Sequence, residues 1–194
     1  MLSIYQPLPE GCIRILTFYR RQDGDIISCT LSIHSLYDEP RASSYNVLSY
    51  VWGPESPTFE IVDDDERVSV RENLYNFLHQ DAPHDTSWID ALCINQQDKR
   101  ERSQQAQLMG RIYSQARMVL AWLSPAKDAE LRNALLELRD DRSECIYAVQ
   151  SPPRETLRNK PYFKKLDALS ECTHWSRARV IQKFLLAKKI QLLY

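Results

Sequence analysis

The chain has 194 residues, with 25 Lys and Arg against 26 Asp and Glu and a formal net charge of −1. Hydrophobic content of 43% and charged content of 26% match an ordinary folded domain. They exclude a disordered chain and leave enough length for one core. So small a net charge draws neither nucleic acid nor anionic membrane, no apolar run nears the roughly 18 residues of a membrane span, and MLSIYQPLPEG is no signal peptide. A cytoplasmic protein without nucleic-acid partner or membrane span is expected.

Cysteines stand at 12, 29, 93, 145 and 172 and histidines at 34, 79, 84 and 174. An odd number of thiols with no close pair reads as reduced, mostly buried cysteine rather than a disulfide framework. Without CxxC, HExxH or clustered His and Cys, no metal site is expected. With 4 glycines in all, a glycine-rich phosphate loop is absent.

In chain order, Ile13–Leu16 and Ile26–Ile33 predict two early strands with Asp23-Gly24 as their turn. Asn46–Val51 is a short apolar strand stopped by Trp52-Gly53-Pro54. Phe59–Val62 and Val68–Val70 flank the acidic tip Asp63-Asp64-Asp65-Glu66 and predict a hairpin. Glu72–His79 predicts a short helix with Leu74, Phe77 and Leu78 inward. Ser87–Ile94 has the length of a buried strand and is too short for a helix.

Asp98 then caps a helix, with Glu101 three residues on in capping-box spacing. Leu108, Met109, Ile112, Tyr113 and Ala116 form its apolar stripe. Val119–Leu123 is the next strand, closed by Ser124-Pro125. Strand, helix, strand in that order predicts a right-handed crossover and a parallel pair. Asp128–Arg139 is read as another amphipathic helix, 140–160 as a surface loop or insertion, and Trp175–Leu193 as a final helix. The expected fold is α/β: a three-layer, mainly parallel sheet with flanking helices and an N-terminal β-hairpin elaboration.

Chemistry concentrates at two strand ends. Asp90 interrupts the apolar run Trp88-Ile89-Asp90-Ala91-Leu92, and a buried carboxylate costs several kcal/mol unless it is paired or hydrogen-bonded. Either it fixes a loop through an Arg or backbone amides, or it is a ligand carboxylate at the carboxyl end of a parallel strand. Asn95, Gln96 and Gln97 precede the capped helix, where amides and free N–H groups suit an anion or simply close the turn. Ser49, Tyr50, Trp52 and Gly53 mark the second strand end. No base accompanies Ser49, so a structural serine is expected there. Arg100, Arg102 and Arg111 read as a solvated helix face.

The segment Tyr45–Gly53, YNVLSYVWG, resembles the "Y-x-x-LSYVWG" stretch of the fungal heterokaryon-incompatibility (HET) domain. Trp88–Gln96, WIDALCINQ, resembles its "WIDA-x-CINQ" signature. Glu101, Gln107, Met109, Ile112-Tyr113, Ala116, Val119 and Trp122-Leu123 are similar to the continuation that follows. The resemblance runs from about Ile13 to the C-terminus. It implies a single domain over 1–194 with its core at about 13–194, in a short or C-terminally truncated member.

It further implies a fungal source and a part in nonself recognition and programmed cell death, working by association with itself or a protein partner. HET domains in turn resemble TIR domains, some of which cleave NAD with a helical glutamate. That likeness implies a flavodoxin-like fold and an alternative reading as an NAD-hydrolysing enzyme. The family's "W-S-R-x-W-x-x-QE" segment is matched here by Trp175, Ser176, Arg177 and Gln182, with Arg179 and Lys183 replacing the second tryptophan and the glutamate. A lysine accepts none of a carboxylate's hydrogen bonds. The expectation is therefore no NAD or other cofactor, with Glu101 or Glu171 left to serve if the enzyme reading holds and an inactive paralogue as the remaining alternative.

Overall fold

The computed structural model describes residues 4–20, 27–37, 45–63, 66–81, 86–122 and 186–193. In chain order these form β1 (Cys12–Arg20), β2 (Ile27–Ser35), β3 (Asn46–Tyr50), β4 (Thr58–Asp63), β5 (Glu66–Arg71), α1 (Glu72–Asp81), β6 (Ser87–Trp88), α2 (Asp90–Cys93), α3 (Lys99–Gln115), β7 (Val119–Trp122) and β8 (Ile190–Leu193). The Asp23-Gly24 turn, the Asp64-Asp65 tip, Ser124-Pro125, the helix expected at 128–139, the 140–160 segment and residues 175–185 lie outside the described residues.

Most of the expected strands are present, but they build a mixed sheet rather than a mainly parallel one. Its order is β5-β4-β2-β1-β6-β3-β7-β8. β1 pairs antiparallel with both β2 and β6, and β4 with β5. β2–β4, β6–β3, β3–β7 and β7–β8 run parallel. The N-terminal β1–β2 pair is no elaboration: it sits between β4 and β6 and joins the two parts of the sheet. The expected β6–β7 pair is also corrected. Both strands run parallel to β3, which lies between them.

β3 and β7 are buried at every position, as expected of strands covered on both faces. Val47 is in register with Trp88, and Tyr50 with Trp122. Strand alternation therefore turns the two tryptophans to opposite faces. On one face Trp88 meets Tyr113 of α3 edge-on at 6.3 Å, and on the other Trp122 meets Phe77 of α1 at 5.7 Å. The inward set Leu74, Phe77 and Leu78 is buried as the spacing predicts.

Two readings change type. Ser87–Ile94 is a strand only over Ser87–Trp88, after which the chain coils. The N–H groups of Leu92 and Cys93 both donate to the Ile89 carbonyl, at 3.0 and 2.7 Å. Leu92 and Cys93 become buried neighbours on one turn, so an apolar run that fits a buried strand also fits a helical turn. At the other end of the chain, Ile190–Leu193 continues no helix but pairs parallel with β7. Ladder bonds to an otherwise open edge outweigh local helical preference over four residues. Ala187, just ahead of this strand, packs against the core.

Among the described residues, no helix is long and apolar enough to cross a membrane. Cys12, Cys29 and Cys93 are free and buried, and among the described residues no group of His, Cys, Asp and Glu could hold a metal ion.

Candidate functional site

Past the carboxyl ends of β3 and β6 the two sequence signatures meet. Trp52 leaves β3 and donates its indole N–H to a carboxylate oxygen of Asp90 at 3.0 Å. Asp90 is half-buried in the first turn of α2 rather than inside a buried strand. Partial solvation and the indole donor remove the penalty a dry carboxylate would carry. Gln96 turns back from the following loop, and its amide donates to the Asp90 carbonyl at 2.6 Å. Asn95 closes the same loop by accepting the Gln97 N–H at 3.1 Å, the turn-forming role open to Asn.

The Trp52-Gly53 corner is clamped from behind. Asn73 donates to the Val51 carbonyl at 2.9 Å and Arg71 to the Gly53 carbonyl at 3.0 Å. The Arg71 guanidinium also lies 5.3 Å from the centre of the Trp52 ring, within cation–π range. Gly53 takes φ +75, and a Cβ there would stand 2.9 Å from the Asn73 amide. The positive φ favours glycine here, and a Cβ would also press on the Asn73 side chain.

Asp98 caps α3 as expected, accepting from the N–H groups of Arg100 and Glu101 at 2.8 and 3.2 Å. The other half of the expected box is diverted. Glu101 accepts the Asn95 N–H at 2.7 Å and holds Arg14 of β1 in a two-pronged pair at 2.6 and 3.1 Å. Arg14 also donates to the Cys93 carbonyl at 3.2 Å and to the Gln6 carbonyl, and it stacks on Tyr5 at 5.0 Å. Arg14 is 1% and Glu101 8% exposed. A carboxylate so engaged is a structural anchor, not a free acid or base. Arg14 escaped notice in the sequence, although it interrupts Ile13-Arg14-Ile15-Leu16 just as Asp90 interrupts its own run.

Ser49 is 1% exposed in β3 and lines neither of the two clefts beside Trp52. Tyr50, Trp52, Asn95 and Gln96 line an open cleft of about 650 Å³. Asp90, Trp52 and Gln96 line a second of about 510 Å³ along α3. Asp90 and Asn95 thus open onto neighbouring clefts, with Trp52 and Gln96 as the wall they share. Arg177 and Gln182 lie outside the described residues. On α3, Arg100, Arg102 and Arg111 are exposed, as a solvated face requires.

Burial raises the pKa of several groups around this frame and so holds them neutral. The Tyr5 hydroxyl is pushed from 10.0 up to about 12, by desolvation first and then by the nearby Cys93, Asp63 and Glu101 charges against Arg14. Desolvation likewise raises the Cys93 thiol and the Tyr45 and Tyr113 hydroxyls. A thiol held neutral this way is no nucleophile.

Two outcomes follow. Arg14→Met or Glu101→Leu alone leaves one buried charge unpaired and lowers unfolding free energy by about 3–5 kcal/mol, while the double variant recovers part of the loss. Urea unfolding of the three proteins checks this; additive losses in the double variant contradict the pairing. Second, the raised groups favour the fold only while neutral, so their contribution is complete below their ordinary values and is lost as pH rises through the folded ones. The Tyr5 window runs from pH 10.0 to about 12. The urea midpoint should hold steady up to about pH 9 and fall above it; a flat profile to about pH 12 contradicts the burial.

A family model described as Heterokaryon incompatibility protein (HET) matches residues 45–183. The protein named "Heterokaryon incompatibility protein 6, OR allele" from Neurospora crassa is 38% identical over 113 residues, a match covering 49% of this chain and 17% of that protein. The chain therefore spans under a fifth of that relative's length. No solved structure matches. The matched stretch contains both linked segments and the α3 continuation between β6 and β7, and the chain belongs to the heterokaryon-incompatibility (HET) family.

Proposed function

We propose that this domain acts in fungal heterokaryon incompatibility, as a cytoplasmic module that signals nonself contact and drives programmed cell death by associating with itself or a protein partner. The observation that carries the reading is the Trp52–Asp90 hydrogen bond, with Gln96 on the Asp90 carbonyl. It joins the two signature segments into one rigid, partly exposed surface. A serine, cysteine or carboxylate poised for chemistry is not what that surface displays. Its groups are amides, an indole and a carboxylate already engaged with one another, which suits recognition. The relative's printed name and the family model support the biological setting. A flavodoxin-like or TIR-like three-layer arrangement remains part of this proposal, supported by helices meeting the tryptophans on opposite faces of the sheet.

Overexpression of the 194-residue chain in a filamentous fungus should arrest growth. Trp52→Ala and Asp90→Ala should relieve the arrest at equal protein level, and Trp52→Phe, which keeps the ring but loses the donor, should relieve it in part. Full toxicity in Trp52→Ala and Asp90→Ala would remove the surface from the function.

The enzyme reading loses Glu101, since that carboxylate is committed to Arg14 and the Asn95 N–H, while Glu171 lies outside the described residues. Purified chain incubated with NAD should release no more nicotinamide than a heat-killed control. Turnover above that control would restore the enzyme reading and direct attention to a carboxylate other than Glu101.

A further inference from the structure

Residues 45–183 carry the family match, and Arg14 of β1 lies outside them. Its guanidinium nevertheless reaches the turn that joins α2 to α3. Nη1 donates both to the Cys93 carbonyl at 3.2 Å and to Glu101 Oε1 at 2.6 Å. That same Oε1 accepts the Asn95 N–H at 2.7 Å. The ion pair therefore bridges the carbonyl of Cys93 and the N–H of Asn95, and the path of the buried Ile94 between them is fixed at both ends. Nη2 holds the second carboxylate oxygen, Oε2, at 3.1 Å. Two bonds to a planar guanidinium set the rotation of the carboxylate, so that Oε1 is turned toward Asn95.

Beyond Asn95 the signature surface begins. Gln96 is the next residue, its amide donates to the Asp90 carbonyl at 2.6 Å, and Asp90 takes the Trp52 indole N–H at 3.0 Å. The hold of Arg14 on these groups passes through Glu101 and the turn. A pair serving stability alone has no need of charge, because well-packed apolar side chains of similar volume fill such a space at equal or lower cost. They would take from the Cys93 carbonyl and the Asn95 N–H the partners that set the course of the turn.

We propose that Arg14 is a positioning residue of the signature surface: through Glu101 it sets the Ile94–Gln96 turn, and through that turn the bonds among Gln96, Asp90 and Trp52. The inference rests on the recognition surface proposed above and adds to it a residue from outside the family-matched stretch. Lysine at this position keeps the charge but not the two-pronged grip, since an ammonium is a point donor that leaves the carboxylate free to rotate. The role belongs to the shape of arginine as well as to its charge.

The test uses the full chain and nuclear magnetic resonance of its tryptophan indole N–H groups. The Trp52 signal is the one lost in Trp52→Phe. Those of Trp88 and Trp122, both buried, are assigned from their contacts with Tyr113 and Phe77 and serve as references for the fold. In the double variant Arg14→Met with Glu101→Leu, the Trp52 N–H should exchange with water about tenfold faster than in the parent, the effect of losing one hydrogen bond. The two reference signals should keep their positions. Arg14→Lys, with Glu101 in place, should speed that exchange about threefold, again with the references unmoved; if the double variant does not fold, this variant alone decides. Unchanged Trp52 exchange in the folded variants overturns the inference. So do references that shift in step with Trp52, the mark of a general loosening. Growth arrest is read separately at equal protein level: arrest that persists once the Trp52 bond is lost sinks the recognition reading and leaves the positioning role of Arg14 standing.

Discussion

One buried ion pair holds the working end of this domain together. Arg14 comes from β1 and Glu101 from the first turn of α3, 87 positions apart in sequence. Between them they engage the Gln6 and Cys93 carbonyls and the Asn95 N–H. The N-terminal segment, the end of α2, the amide loop and the start of α3 are thus fixed to a central strand of the sheet. An apolar pair would fill the same space with less desolvation, but it could not bind three backbone groups at once. What the charges supply is the direction of the loop that carries Asn95 and Gln96.

From that anchor the geometry of the exposed surface follows. The loop is set by Glu101, Gln96 is directed back onto Asp90, and Asp90 takes the Trp52 indole N–H. On the far side, Arg71 and Asn73 hold the Trp52-Gly53 corner through its carbonyls. Trp52 therefore stands between two restraints, one leading to α3 and one to the β4–β5 hairpin. The segments that make the family recognisable are separated by 38 positions at the Trp52–Asp90 contact. They are joined by side-chain hydrogen bonds rather than by strand pairing at that point, and each depends on the other for its orientation.

Much of this was legible in the sequence where local physics dominates. Alternating and short apolar runs located β1 to β5 and β7, Asp98 announced the α3 cap, and Trp52-Gly53 marked a stop. Non-local choices were not legible. Periodicity cannot tell a buried strand from a helical turn in Trp88-Ile89-Asp90-Ala91-Leu92, because both bury alternate or adjacent apolar residues over so short a span. Nor can it tell that β3 inserts between β6 and β7, or that Ile190–Leu193 finds a ladder on β7. Glu101 was recognised as a capping-box residue from its spacing, yet its carboxylate serves Arg14. Spacing identifies which groups are available, while tertiary proximity decides which bond is made.

The two clefts owe their separation to the same wall. Trp52 and Gln96 border both, and neither side chain is free to swing away: each is tied to Asp90. Trp52 thus stands between the β5-side cleft and the α3 cleft, bonded to Asp90. Two further supports flank this bond, the Arg71–Gly53 clamp and the Arg14–Glu101 anchor. The indole–carboxylate bond is only part-buried, whereas the anchor is buried and cannot yield without leaving a charge unpaired. The signature residues therefore form one wall shared by two adjacent clefts, held together through Trp52 and Asp90.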